Sequence, residues 1–161
     1  MKKIVIFGNS GSGKTTLAKE ICESEGLPHL DLDMLAWKLT EPPERRPILE
    51  SKVQMDGFTD ANKDWVIEGC YSDLLEIVIP KSNEIIFLNL PIAECIANAR
   101  QRPWEPHKYE SKEAQDTNLE LLTDWISQYI NRNDTFSKES HAALYRNYSG
   151  KKTMYTSNER R

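Results

Sequence analysis

The sequence predicts an α/β fold in which a parallel sheet is covered by helices on both faces. Three observations carry this expectation. Short apolar runs without polar alternation recur along the chain, as in strands buried on both sides. Segments with helical periodicity separate them. A glycine-rich turn joins the first apolar run directly to the first helical segment.

In chain order, the first strand is expected over residues 3–7, where Ile4-Val5-Ile6-Phe7 is unbroken. A helix over Lys14–Glu25 follows, with Leu17, Ala18, Ile21 and Cys22 on one face. Residues 28–32 form the second strand and 34–38 a short helix. A weaker helix over 49–61 is expected to break or end near Gly57. Trp65-Val66-Ile67-Glu68 is the third strand, and 84–90 the fourth. Pro91 opens a helix over 92–102. Leu119, Leu122, Trp125, Ile126, Tyr129 and Ile130 make the strongest amphipathic face, read as core. The last strand, Lys151–Tyr155, is largely polar and is read as an edge strand. Right-handed crossovers leave few arrangements of such units.

With 161 residues, the chain is expected to be a single domain over 1–161. Hydrophobic residues at 39% and charged residues at 29% exclude the disordered and fibrous classes. No apolar run approaches the ~18 residues of a membrane span. The N-terminal apolar stretch stops at Gly8, too soon for a leader, so a cytoplasmic location is expected. Cys22, Cys70 and Cys95 are far apart and form no CxxC pair, which points to free thiols. A net charge of −4 argues against nucleic acid as a partner, and Arg160-Arg161 is a short basic end rather than a patch. Monomer and homodimer both remain open.

The sharpest signal is Gly8-Asn9-Ser10-Gly11-Ser12-Gly13-Lys14-Thr15, which matches G-x-x-x-x-G-K-[ST] at every fixed position. Glycines let backbone N–H groups curl around a phosphate, and the helix that follows adds unpaired donors and the positive end of its dipole. Lys14 can reach the β- and γ-oxygens, and Thr15 offers a hydroxyl to magnesium. The residues expected to hold the nucleotide are therefore Gly8, Asn9, Ser10, Gly11, Ser12, Gly13, Lys14, Thr15 and Thr16. ATP and magnesium are the expected ligands.

Open α/β sheets bind ligands beyond the carboxyl ends of their strands. Asp31, Asp33 and Glu68 fall at such ends. Two apart on an extended chain, Asp31 and Asp33 point to one side. One can hold a magnesium-bound water while the other accepts a hydrogen bond from a substrate hydroxyl. The bland reading is that Asp33 caps the short helix after it. Glu68 closes an apolar strand, where a metal partner belongs. Thr15, Asp31 and Glu68 are thus the candidate metal residues.

With these residues in place, the chain resembles the small P-loop kinases, both adenylate-kinase-like and shikimate-kinase-like. Within them it looks most like the DNA topology modulation group. The resemblance runs through residues 8–16, 30–37, 65–72 and 85–91. It implies a three-layer P-loop NTPase fold, a five-stranded parallel sheet of order 2-3-1-4-5, and a lid after the helix of the fourth strand. It also implies that Asp31 serves the metal water and Asp33 the acceptor hydroxyl, and that Thr156-Ser157-Asn158 lies where adenine is read. Departures are specific. Glu68 and Cys70 replace an aspartate and an asparagine. Asp73 stands where relatives tend to carry arginine, which argues against a nucleotide phosphate on the acceptor there. The Gly-Gly-Gly segment of shikimate kinases is absent.

Residues 100–108 sit in the lid position, and Arg100 and Arg102 are candidates to stabilise a moving phosphoryl group. Two apart at a helix end, they face different ways, and both also read as ordinary helix C-terminal cations. Arg132 is a weaker candidate. Arg45 and Arg46, in a charged proline-rich loop, are candidates to bind an anionic acceptor, although a solvated loop is the favoured reading. Three function classes follow. The first is a kinase acting on a small-molecule, nucleoside or nucleotide acceptor, with Lys14 and Asp33 catalytic. The second is a nucleotide hydrolase, and the third a nucleotide-binding regulator acting on DNA, which the negative charge disfavours.

Overall fold

The computed structural model describes residues 1–159; the basic Arg160-Arg161 end lies outside them. The first strand, β1 (Lys3–Gly8), is buried almost throughout and runs into the glycine loop. Next comes α1 (Lys14–Glu25), which ends where Gly26 turns left-handed and donates its N–H to the Cys22 carbonyl. Then follow β2 (His29–Asp31), α2 (Asp33–Ala36), β3 (Trp37–Lys38), β4 (Glu44–Arg45), α3 (Ile48–Ala61) and β5 (Trp65–Gly69). The chain continues through α4 (Ser72–Val78), β6 (Glu84–Leu88), α5 (Ile92–Arg100), α6 (Lys112–Thr117), α7 (Leu119–Ser127), α8 (Lys138–Asn147) and β7 (Lys151–Tyr155).

Five strands form one parallel sheet in the order β2-β5-β1-β6-β7. The labels run 2-5-1-6-7 instead of the expected 2-3-1-4-5 because an unannounced antiparallel ribbon, β3 with β4, enters between the second and third sheet strands; counted alone, the five sheet strands follow the expected order. Central β1 explains its own unalternating sequence. Val5 and Phe7 pack on one face with Leu35, Met55, Leu74 and Leu75 of α2, α3 and α4. Ile4 and Ile6 pack on the other with Leu17 and Ala18 of α1, Cys95 and Ala99 of α5, and Ile126 of α7. Both faces are dry, so both must be apolar.

Four helical expectations need correction. The short helix expected over 34–38 spans Asp33–Ala36, because Trp37 and Lys38 extend into the β3–β4 ribbon. Gly57 does not interrupt α3, because it lies where an added Cβ meets nothing, and packing at Ser51 and Met55 outweighs its roughly 1 kcal/mol helix penalty. The amphipathic stripe at 119–130 is not one helix: α7 stops at Ser127 and a tighter turn over Gln128–Ile130 follows. Ile130 thereby ends up exposed, while Ile126 and Tyr129 are buried. The helix over 92–102 ends two residues early, at Arg100. The sequence also gave no notice of α4, α6 or α8. The last is polar, with only His141 buried, and that imidazole bridges the Tyr129 hydroxyl (2.7 Å) and the Cys70 carbonyl (2.8 Å).

Candidate active site

The glycine loop leaves β1 at the carboxyl edge of the sheet and wraps the start of α1. Gly11 has φ +77°, and a Cβ there would lie 2.3 Å from the Cys95 carbonyl oxygen, so only glycine fits. Gly13, also left-handed, caps α1 without a side-chain hydrogen bond. In contrast, Ser111 and Ser137 cap α6 and α8 with their side chains. The first N–H groups of α1 therefore carry the helix's positive end into the cleft beyond. Lys14 folds back, its Nζ donating to the Asn9 carbonyl at 2.8 Å.

The cleft has a volume of about 640 Å³, in the range of small-molecule sites. Its lining includes the glycine loop, the first turns of α1, Asp33, Glu68 and the segment from Arg102 to Lys108. Of the nine candidate nucleotide residues, Ser10, Gly11, Gly13, Lys14, Thr15 and Thr16 face it. The Asn9 amide turns away to the Ile126 carbonyl, and Ser12 is fully enclosed.

Thr15 donates its hydroxyl to the Glu68 carboxylate at 2.6 Å, and His29 Nε2 meets the same oxygen at 3.1 Å. Asp31 is paired with Glu68 across the β2–β5 register. Burial, together with the negative charges of Glu68 and Asp33, pushes Asp31 up to about 6. Two carboxylates paired across neighbouring strands beside a threonine hydroxyl suit a hard divalent cation. Among the described residues, no three His, Cys, Asp or Glu side chains form a metal cage by themselves. The donors present thus fit a magnesium that keeps water and phosphate oxygens as its main ligands.

Asp33 does not cap α2. Instead Asp31 accepts the Asp33 N–H at 2.9 Å, which leaves the Asp33 carboxylate, 40% exposed, open to the cleft. Two groups that the sequence reading missed hold it. Tyr71 donates its hydroxyl to Asp33 Oδ1 and receives the Trp37 indole N–H at 2.8 Å. Lys108 Nζ lies 3.0 Å from Asp33 Oδ2 and 3.5 Å from Asp31. Burial alone would raise the Asp33 pKa, but the Lys108 charge and these hydrogen bonds outweigh it, so Asp33 sits below the usual carboxylate range. Burial likewise works against the Lys108 ammonium, yet Asp33 and Asp31 keep it charged. Cys70 also lines the cleft, and burial pushes its thiol up to about 12, so it is inert.

The cations fall unevenly. Arg102 lines the cleft and lies 3.4 Å from Glu105. Arg100 does not line the cleft; it lines a small crevice that Arg102 and Glu105 also border. Arg132 stacks on Trp125 and pairs with Asp134. Arg45 is not a solvated loop residue: it grips both oxygens of Asp73 at 3.1 and 3.2 Å and lies over the Tyr71 ring. Asn158 donates to the Ser12 carbonyl and accepts from Asn98, closing the far end of the glycine loop.

No family model matches the chain, and no curated protein matches it. Solved structures do. The fold is similar to that of a sugar kinase from Janibacter sp. HTCC2649 in its unliganded form, at 16% identity and a TM-score of 0.55, over 97% of this chain and 85% of that one. A deoxyadenosine kinase from M. mycoides with bound dATP matches at 13% identity and a TM-score of 0.48, over 96% and 90%. The chain shares the sugar kinase's fold. Neither structure is a DNA topology modulation protein. Among the described residues, no helix is long and apolar enough to cross a membrane.

The missed residues had weak signals. Lys108 was visible only as one cation in a proline-rich segment. Tyr71 followed a strand end, with nothing to say that its hydroxyl would reach Asp33, 38 positions away.

Proposed function

We propose that this chain is a P-loop kinase that transfers the γ-phosphoryl group of ATP to a hydroxyl of a small molecule. One observation carries the reading: a single cleft is lined both by the uncapped start of α1 with Lys14 and by an ionised Asp33. The glycine loop and Lys14 cradle the phosphates, and Lys14 follows charge as it moves to the bridging oxygen. Magnesium, held through Thr15 with Glu68 and Asp31 behind it, would neutralise the phosphate oxygens. Asp33 accepts the proton of the acceptor hydroxyl as that oxygen bonds to phosphorus and ADP departs. Arg102, which lines the cleft, is the candidate lid cation for the moving phosphoryl group, which it would meet on leaving Glu105; Arg100 does not line the cleft.

The test is acceptor-dependent ADP release with magnesium and ATP across nucleosides, sugars, amino sugars and nucleoside monophosphates. Turnover that depends on the acceptor and disappears in Asp33→Ala is the expected result. ATP consumption at one slow rate with every acceptor would instead mark a hydrolase.

A further inference from the structure

Resting on the kinase reading, we infer that the acceptor is a polyhydroxyl compound without an anionic group, such as a nucleoside, a neutral sugar or an amino sugar. Phosphorylated and carboxylated acceptors are rejected. The argument is the pairing of the cations that reach Asp33 from the lid segment and the aromatic cluster, leaving Lys14 to the nucleotide phosphates. Lys108 faces three carboxylates: Asp33 at 3.0 Å, Asp31 at 3.5 Å and Glu105 at 3.6 Å. Arg102 is taken by the same Glu105. Arg45 lies one aromatic ring from Asp33, its guanidinium 4.8 Å from the centre of the Tyr71 ring, but both Asp73 oxygens neutralise it. Arg132, beyond Phe136 from that ring, is bound by both oxygens of Asp134.

Against these four cations stand five carboxylates, Asp33, Asp31, Glu105, Asp73 and Asp134, whereas the phosphate end offers Lys14 bonded only to a backbone carbonyl. Among the described residues, a second phosphate or a carboxylate on the acceptor meets at Asp33 only cations that are already paired, and must displace a carboxylate from one of them. A hydroxyl faces no such cost. It needs only to share Asp33 Oδ2 with Lys108, since Tyr71 already occupies Oδ1. An acceptor ammonium can take the Lys108 position outright.

The experiment compares each acceptor with its own anionic counterpart: nucleoside with monophosphate, hexose or hexosamine with its 6-phosphate, polyol with the matching acid. The expected result is a preference of at least about 100-fold in kcat/KM for the uncharged or cationic member. Asp73→Asn, which frees Arg45, is expected to narrow that preference about tenfold for phosphorylated acceptors. A monophosphate or acid used better than its parent overturns this inference and leaves the kinase standing. Acceptor-independent turnover with every pair removes the kinase and this inference with it.

Discussion

The two ends of the cleft are built in opposite ways. The phosphate end is one continuous stretch, residues 8–16, whose recognition groups are backbone donors fixed by positive φ and by the start of α1. The acceptor end is assembled from side chains on five separate pieces of chain. Asp31 and Asp33 come from the β2–α2 junction, Trp37 from β3, Arg45 from β4, Tyr71 and Asp73 from the start of α4, and Lys108 from the lid segment. Backbone donors of this kind cannot be mutated away or retuned one at a time. Carboxylates held by other side chains can.

The sharpest way to break this division is Asp33→Asn. It removes the proton acceptor without changing shape, so kcat is expected to fall roughly 10³-fold while nucleotide affinity stays unchanged. Nucleotide titration alongside steady-state rates measures both. A comparable loss in nucleotide affinity would show that the two ends are not separable.

His141 lies beneath both ends, against the rings of Phe7 and Phe87 and under the Cys70 carbonyl. The Cys70 carbonyl takes the Nε2 proton, and the Tyr129 hydroxyl donates to Nδ1. Burial, with the Lys14 charge adding to it against the Cys70 hydrogen bond, holds the imidazole at about 4. The sign follows from linkage. Above about pH 6.5 folded and unfolded chains are both neutral here; between 6.5 and about 4 only the unfolded chain gains the proton. Stability is therefore expected to fall by about 3 kcal/mol as pH drops through that window, then level off. Denaturant midpoints of the parent and of His141→Gln across pH 4–8 test this, the variant losing that part of the slope. An identical slope in both would rule His141 out as its source.

Gly11→Ala probes the phosphate end alone. Its Cβ would approach the Cys95 carbonyl to 2.3 Å in a left-handed backbone, a strain of about 1–3 kcal/mol. Nucleotide affinity is expected to fall about 10²-fold, more than the acceptor KM. Unchanged affinity would mean that the loop tolerates relaxation there.

How far each end could be read beforehand follows from the same contrast. The glycine loop was legible because its geometry is local: a strand, three glycines, a lysine and a helix in fixed order. The sheet was legible because β1, β5 and β6 are apolar on both faces. Asp31 and Asp33 could be picked out by their position after β2, but their partners could not. Lys108 meets Asp33 across 75 positions, and no periodicity encodes that distance. Arg45 looked solvated because a charged loop usually is; the β3–β4 ribbon, only two residues per strand, is too short to leave a strand pattern. The polar helix α8 escaped notice because it buries a histidine rather than an apolar stripe.

The finest separation of the two ends is Tyr71→Phe. The ring stays, so its packing on Phe136 and Arg45 is kept. The hydroxyl goes, and with it the donor to Asp33 Oδ1 and the partner of the Trp37 indole N–H. Asp33 can then rotate toward Lys108, and the acceptor meets a misaligned carboxylate. An acceptor KM raised about tenfold is expected, with kcat changed less and nucleotide affinity not at all. If Tyr71 served only to fill the core, acceptor and nucleotide parameters would shift together with the melting temperature. A selective change in acceptor KM at a nearly unchanged melting temperature therefore assigns the hydroxyl to positioning Asp33.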